Sequence, residues 1–223
     1  MSPLSFSVNP EYANMSEVVP GLFISGVLGL TRENIIQKGI SLIVNATDEV
    51  PNLKSLGDIP RIKLWWFDTT NQEIYRELDT ITDRIRATME TGGKVLVHSV
   101  EGVSRCATLC LAFLTKYKCS SLRHAYFYLA SKRALVKPNI GFWRQLIAFE
   151  QETKKNAGSV HLVRDEVVPE ILIADVYIKK SKAQLEVEAQ SENMFDSRSR
   201  HSSGSTLRFS PVLETLSETE ATV

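Results

Sequence analysis

Ser99 and Arg105 close a run, Lys94-Val-Leu-Val-His-Ser-Val-Glu-Gly-Val-Ser-Arg105, whose residue types suit phosphate chemistry. Read locally, the run is a short buried strand, a tight glycine-containing loop and the start of a helix at Ser104. A loop of that form aims successive backbone N–H groups at one point and adds the positive end of a helix dipole. Arg105 adds a planar cationic fork suited to phosphate oxygens. The hydroxyl of Ser99 heads the loop. A hydroxyl is not ionised by a cationic helix terminus and needs an adjacent general base to attack. His98 precedes it on a strand, so its side chain should face the other way. The run has a cradle for phosphate and no activated nucleophile.

The flanking pattern says what must hold such a loop. Val18 to Ser25 reads as a strand entered by Pro20-Gly21, and Thr31 caps a helix to Lys38 that Gly39 ends. Ile40 to Asn45 and Arg61 to Phe67 read as further strands. Asn71 could cap a long helix carrying Ile74, Leu78, Ile81 and Ile85 on one stripe, stopped by Gly92-Gly93. Helices follow over Ser104–Tyr117, Ser121–Lys132 and Pro138–Thr153. Strands alternating with helices predict an α/β domain: a central, mostly parallel sheet flanked by helices, with ligands at the carboxyl ends of the strands. The predicted organisation is an N-terminal extension over 1–15, the domain over 16–156, an extension packed on it over 157–180, and a disordered tail rich in Ser, Thr and Glu over 181–223.

Composition narrows the classes. The 223 residues carry 26 basic and 26 acidic side chains, so no net charge draws the chain to nucleic acid or an anionic membrane. Cys106, Cys110 and Cys119 lack disulfide-like spacing, the first two reading as core packing on one helix, which fits a reducing compartment. The N-terminus lacks a signal-peptide pattern and no apolar stretch is long enough to span a bilayer, so a cytoplasmic protein, or one shared with the nucleus, is expected. Trp65, Trp66 and Phe67 should alternate faces and leave an aromatic side chain exposed. The cluster Lys132, Arg133 and Lys137 suits acidic or phosphorylated partners, but such charge runs are usually solvated surface and it is read as that.

Six separated pieces, in order, resemble the small atypical dual-specificity phosphatases of the cysteine-dependent protein tyrosine phosphatase superfamily: Val19-Pro-Gly-Leu-Phe-Ile-Ser-Gly, Ile43-Val-Asn-Ala-Thr, the segment ending at Asp68, Val95-Leu-Val-His, Gly102-Val-Ser-Arg and Lys137-Pro-Asn-Ile-Gly-Phe-Trp-Arg-Gln-Leu. The resemblance implies the tyrosine-phosphatase-like fold and assigns roles. Ser99 stands where the nucleophilic cysteine belongs. Asp68 matches the general acid, and Arg105 the phosphate-holding arginine. Val100, Glu101, Gly102, Val103 and Ser104 match the rest of the phosphate loop. His98 matches a histidine bracing that loop, read as a buried and satisfied structural residue, and Asn139 matches a late brace. Cys106 replaces the usual serine or threonine after the arginine, and Glu101 puts a carboxylate where the family keeps an uncharged residue. No metal or organic cofactor is implied. Two readings stay open: a monomeric pseudophosphatase that binds phosphorylated proteins, or protein kinases, without hydrolysis; or an active enzyme, with targets such as MAP kinase pathway proteins, in which serine has replaced the cysteine.

Overall fold

Pro20 and Gly21 do more than lead into a strand. The computed structural model describes residues 14–178, and in it this pair turns the chain back, so that β1 (Ser16–Val19) and β2 (Leu22–Ser25) form an antiparallel hairpin where one continuous strand was expected. Gly21 sits at φ +87°, a backbone angle that side-chain-bearing residues rarely adopt. The two further strands β3 (Leu42–Asn45) and β4 (Arg61–Lys63) and the central β5 (Val95–His98) complete a five-stranded sheet in the order β1-β2-β5-β3-β4. Every pairing except the hairpin is parallel. β2, β3 and β5 are buried along their whole length, as apolar runs flanked on both faces must be.

Register is what positions the site. His98 pairs with Ser25 on one side and Asn45 on the other. The carboxyl ends of three parallel strands therefore line up, and the loops after Ser25, Asn45 and His98 leave the sheet together.

The α-helices among the described residues are α1 (Arg32–Lys38), α2 (Tyr75–Glu90), α3 (Arg105–Tyr117), α4 (Leu122–Lys132) and α5 (Ile140–Lys154), and they flank the sheet. α3 is the axis of the larger core. Every residue from Arg105 to Thr115 is buried, and Phe113, Trp143, Phe142 and Trp66 pack in the same cluster. Thr31, Ser121 and Asn139 cap α1, α4 and α5 through their side chains.

α2 departs from the expected start at Asn71. It begins at Tyr75, and the N–H groups of Ile74 and Tyr75 both donate to Oε1 of Gln145 on α5, at 2.7 and 2.9 Å. The expected strand through Phe67 also stops early, at Lys63, yet its alternation persists. Leu64 and Trp66 are buried while Trp65 and Phe67 are exposed.

Beyond α5, the strands β6 (Leu162–Arg164) and β7 (Leu172–Ala174) form a separate two-stranded sheet. Val160, Ala174 and Val176 join the main core. The fully buried Glu150 accepts from the N–H of Leu122 and from both N–H and Oγ of Ser159, tying α5, α4 and this segment together. The expected disordered tail over 181–223, and nearly all of the expected extension over 1–15, lie outside the described residues. Among the described residues no helix is long and apolar enough to cross a membrane.

Candidate functional site

The loop from Ser99 to Ser104 curls around a cavity of about 480 Å³ at the carboxyl end of β5. Its lining joins Ser99, Val100, Glu101, Val103, Ser104 and Arg105 to Asp68, Asn139, Glu49 and Lys137. Gly102 turns the loop at φ +75°, where an added Cβ would lie 2.5 Å from the backbone nitrogen of Gly26. Ser104 is the N-cap position of α3, yet its side chain caps nothing, which leaves the first-turn N–H groups of a thirteen-residue helix for a ligand.

Ser99 is 2% exposed at the floor of the cradle. Its hydroxyl donates to Sγ of Cys106 at 3.1 Å and its oxygen accepts from the N–H of Gly102 at 3.2 Å. Among the described residues no carboxylate or imidazole is hydrogen-bonded to it. Burial pushes the Cys106 thiol up, so the sulfur beside Ser99 is a neutral thiol and no base. Cys106 and Cys110 are both buried in the core, as their spacing suggests.

His98 is buried, but the expectation that it is satisfied fails, because its Nδ1 has no partner. Burial pushes the imidazole down to about 4, which keeps it neutral near pH 7. Asp68 lies at the cavity wall. Its Oδ1 accepts from Ser104 Oγ at 2.7 Å and from Asn139 Nδ2 at 2.8 Å. Ser104 and Asn139 are themselves joined, the N–H of Asn139 donating to Ser104 Oγ at 3.2 Å. Three residues drawn from three distant segments thus converge at one carboxylate beside the cavity.

Arg105 differs from a free fork waiting for phosphate. Its Nη1 donates to Oε2 of Glu49 at 2.6 Å and to the carbonyl of Trp66 at 3.1 Å, with Asp48 and Asp68 carboxylates within 4 Å. Its Nε is buried without a hydrogen-bond acceptor. Burial alone would raise the Glu49 carboxyl, but the hydrogen bonds from Arg105 and Asp48 outweigh it and hold the group at about 2. Asp48 is pushed up in turn, first by its hydrogen bond with Glu49.

Glu49 and Lys137 were not singled out as site residues by the sequence alone. Glu49 arrives on the loop after β3, which pairs with the strand carrying the cradle, and no local sequence pattern marks it. Lys137, read as solvated surface, lines the cavity. Arg133, read the same way, is 5% exposed and lies behind the loop. Among the described residues no group of three or more His, Cys, Asp or Glu side chains is arranged to hold a metal ion.

Comparison with known proteins agrees with this geometry. Residues 22–152 match the family model described as dual specificity phosphatase, catalytic domain. The chain is 34% identical over 173 residues to dual specificity protein phosphatase 14 of Homo sapiens, covering 77% of this chain and 85% of that one. It is 34% identical over 188 residues to dual specificity protein phosphatase 18 of Bos taurus, covering 82% and 97%. Among solved structures, a mouse putative dual specificity phosphatase complexed with zinc tungstate superposes with a TM-score of 0.60 at 28% identity, over 70% of this chain and 96% of that one. The human tyrosine phosphatase-like serine/threonine/tyrosine-interacting protein superposes with a TM-score of 0.56 at 28% identity, over 62% and 96%.

Proposed function

The chain belongs to the dual-specificity phosphatase family, and on that premise we propose that it binds phosphorylated proteins at the 99–105 loop without hydrolysing them. The observation that carries this reading is the setting of Ser99. Its hydroxyl proton is given to a neutral thiol, and nothing bonded to it can take that proton away. A neutral oxygen at the floor of the cradle also removes the charge that a thiolate would place against a phosphate dianion. The cradle keeps its inward N–H groups, the dipole of α3 and Arg105, which favour a bound oxyanion. That one structural neighbour was solved with tungstate, a phosphate-shaped oxyanion, and that another is named as a phosphatase-like interacting protein, supports both halves of the reading. We place the protein as a monomer in a reducing cytoplasmic or nuclear setting, where its three free cysteines persist.

The purified protein is expected to bind tungstate in calorimetry and to release no product from a small aryl phosphate. Turnover matching that of Ser99→Cys would overturn the reading.

One observation favours the second reading, an active phosphatase interrupted at a single atom. Asp68, Ser104, Asn139 and Arg105 are assembled around the cavity although the nucleophile position holds serine. On that reading Ser99→Cys restores turnover, and adding Cys106→Ser raises it further by returning a hydroxyl beside the sulfur.

A further inference from the structure

We propose that Arg133 is a positioning residue for the phosphate loop, holding its outer face so that its inner face can present N–H groups to an oxyanion. The inference rests on the reading of that loop as an oxyanion site. A peptide turn that aims N–H groups inward must aim its carbonyls outward, and buried carbonyls require donors.

Donors to the five carbonyls from Val100 to Ser104 can be traced. The carbonyl of Val100 accepts from the N–H of Val27 at 2.8 Å, and that of Val103 from the N–H of Lys137 at 2.9 Å. The carbonyl of Ser104 accepts from the N–H of Thr108 at 2.8 Å, inside α3. At the apex, where no backbone donor among the described residues reaches, Arg133 supplies both bonds. Its Nε donates to the carbonyl of Gly102 at 2.7 Å and its Nη2 to that of Glu101 at 3.3 Å. The remaining nitrogen, Nη1, donates to the carbonyl of Asn14 at 2.7 Å, at the entry to β1. One planar fork therefore fixes the apex against the edge hairpin, which a lysine, with a single nitrogen, cannot reproduce.

The space agrees. A Cβ on Gly102 would lie 2.6 Å from Nη2 of Arg133, so the apex and the guanidinium are in direct contact with no room between them. Arg133 sits at the C-terminal boundary of α4, and α4 is thereby the element that sets the depth of the cradle.

The test compares wild type, Arg133→Ala and Arg133→Lys in two measurements: tungstate affinity by calorimetry, and amide hydrogen exchange of the ligand-free proteins at Gly102, Val27 and Lys137. Assays are run well below each variant's thermal midpoint. We expect Arg133→Ala to weaken tungstate at least tenfold and Arg133→Lys at least threefold, with exchange at the three amides at least tenfold faster in the alanine variant and exchange along β5 unchanged. Methylguanidinium should return both readouts toward wild type in Arg133→Ala. If Arg133→Ala does not fold, Arg133→Lys carries the test. A folded variant that only melts earlier, with affinity and loop exchange within twofold of wild type, overturns the proposal. Weaker affinity without faster loop exchange overturns it too, because Arg133 would then act by charge alone, and so does faster exchange without weaker affinity. If wild type binds no tungstate, it is the proposed function that fails; the positioning role then stands or falls on the exchange rates alone.

Discussion

Arg105 and Arg133 lie on opposite sides of the same tight loop, and both are 5% exposed. Arg105 faces carboxylates: Glu49 at 2.6 Å, with Asp48 and Asp68 within 4 Å. Arg133 faces carbonyls, those of Glu101, Gly102 and Asn14. The inner arginine donates to the Glu49 carboxylate and to the Trp66 carbonyl and lines the cavity. The outer one donates to backbone carbonyls behind the loop. On the two roles proposed above, identical side chains at the same depth divide recognition from support.

That division can be broken most directly at Arg105. Removing it deletes a charge-assisted contact to any bound oxyanion and strands Glu49, so the cleaner variant is Arg105→Ala combined with Glu49→Gln. Tungstate affinity should fall about 100-fold, or roughly 3 kcal/mol, with the thermal midpoint little changed. A loss below threefold would mean that the N–H groups alone make the site.

The supporting side is tested next through His98, at the base of the loop. The unfolded chain takes up a proton on this histidine near its ordinary value of 6.5, whereas the buried site resists until about 4. The unfolded state therefore binds more protons between those values, and stability drains as pH falls through that window. The loss should be of order 3 kcal/mol between pH 7 and 4 relative to His98→Leu, read from denaturant midpoints. Parallel pH profiles for the two proteins would contradict a buried neutral imidazole.

How the two sides were legible follows from the same arginines. Arg105 falls inside a contiguous run whose glycine and helix start announce an anion site, so one stretch of sequence suffices. Arg133 is thirty-one positions beyond the glycine it touches. Nothing local separates it from Lys132, which lies over the Tyr128 ring at 5.6 Å. Only the docking of α4 against the hairpin decides which basic residue goes inward. Glu49 was hidden for a similar reason, since it is delivered by the pairing of β3 with β5. The alternation of Trp65, Trp66 and Phe67 was legible even though the ladder ends at Lys63, because packing of Trp66 into the core, not strand pairing, enforces it. Asp68 and Asn139 could be placed by family register, but the shared hydrogen bonds through Ser104 appear only in three dimensions.

A smaller effect comes from Gly102, which both sides share. Gly102→Ala puts a methyl group against Gly26 and Arg133 at a left-handed backbone angle. Stability should fall by about 1–3 kcal/mol and tungstate affinity with it, the joint change expected of a supporting position. Loss of one without the other would blur the division. The smallest effect is expected at Glu101, exposed on the inner rim of the cavity. Glu101→Ala should tighten tungstate a few-fold at low salt and much less at high salt, because water and ions screen an exposed carboxylate. Equal gains at both ionic strengths would point to a steric rather than a charge effect.

The glutamine that closes α2 bears on the order in which the site comes into being. The first turn of α2 has no acceptor of its own, and Gln145 supplies one from seventy residues further along the chain. Asp68 lies in the loop that leads into that turn and is held by Asn139, which is later still than the cradle. A nascent chain leaving the ribosome therefore exposes the 99–105 loop before it has the second of the two residues that seat Asp68. A product truncated before Asn139 would keep the bond from Ser104 to Asp68 and lack the one from Asn139, which makes the start of α5 the step at which the seating of that carboxylate is completed.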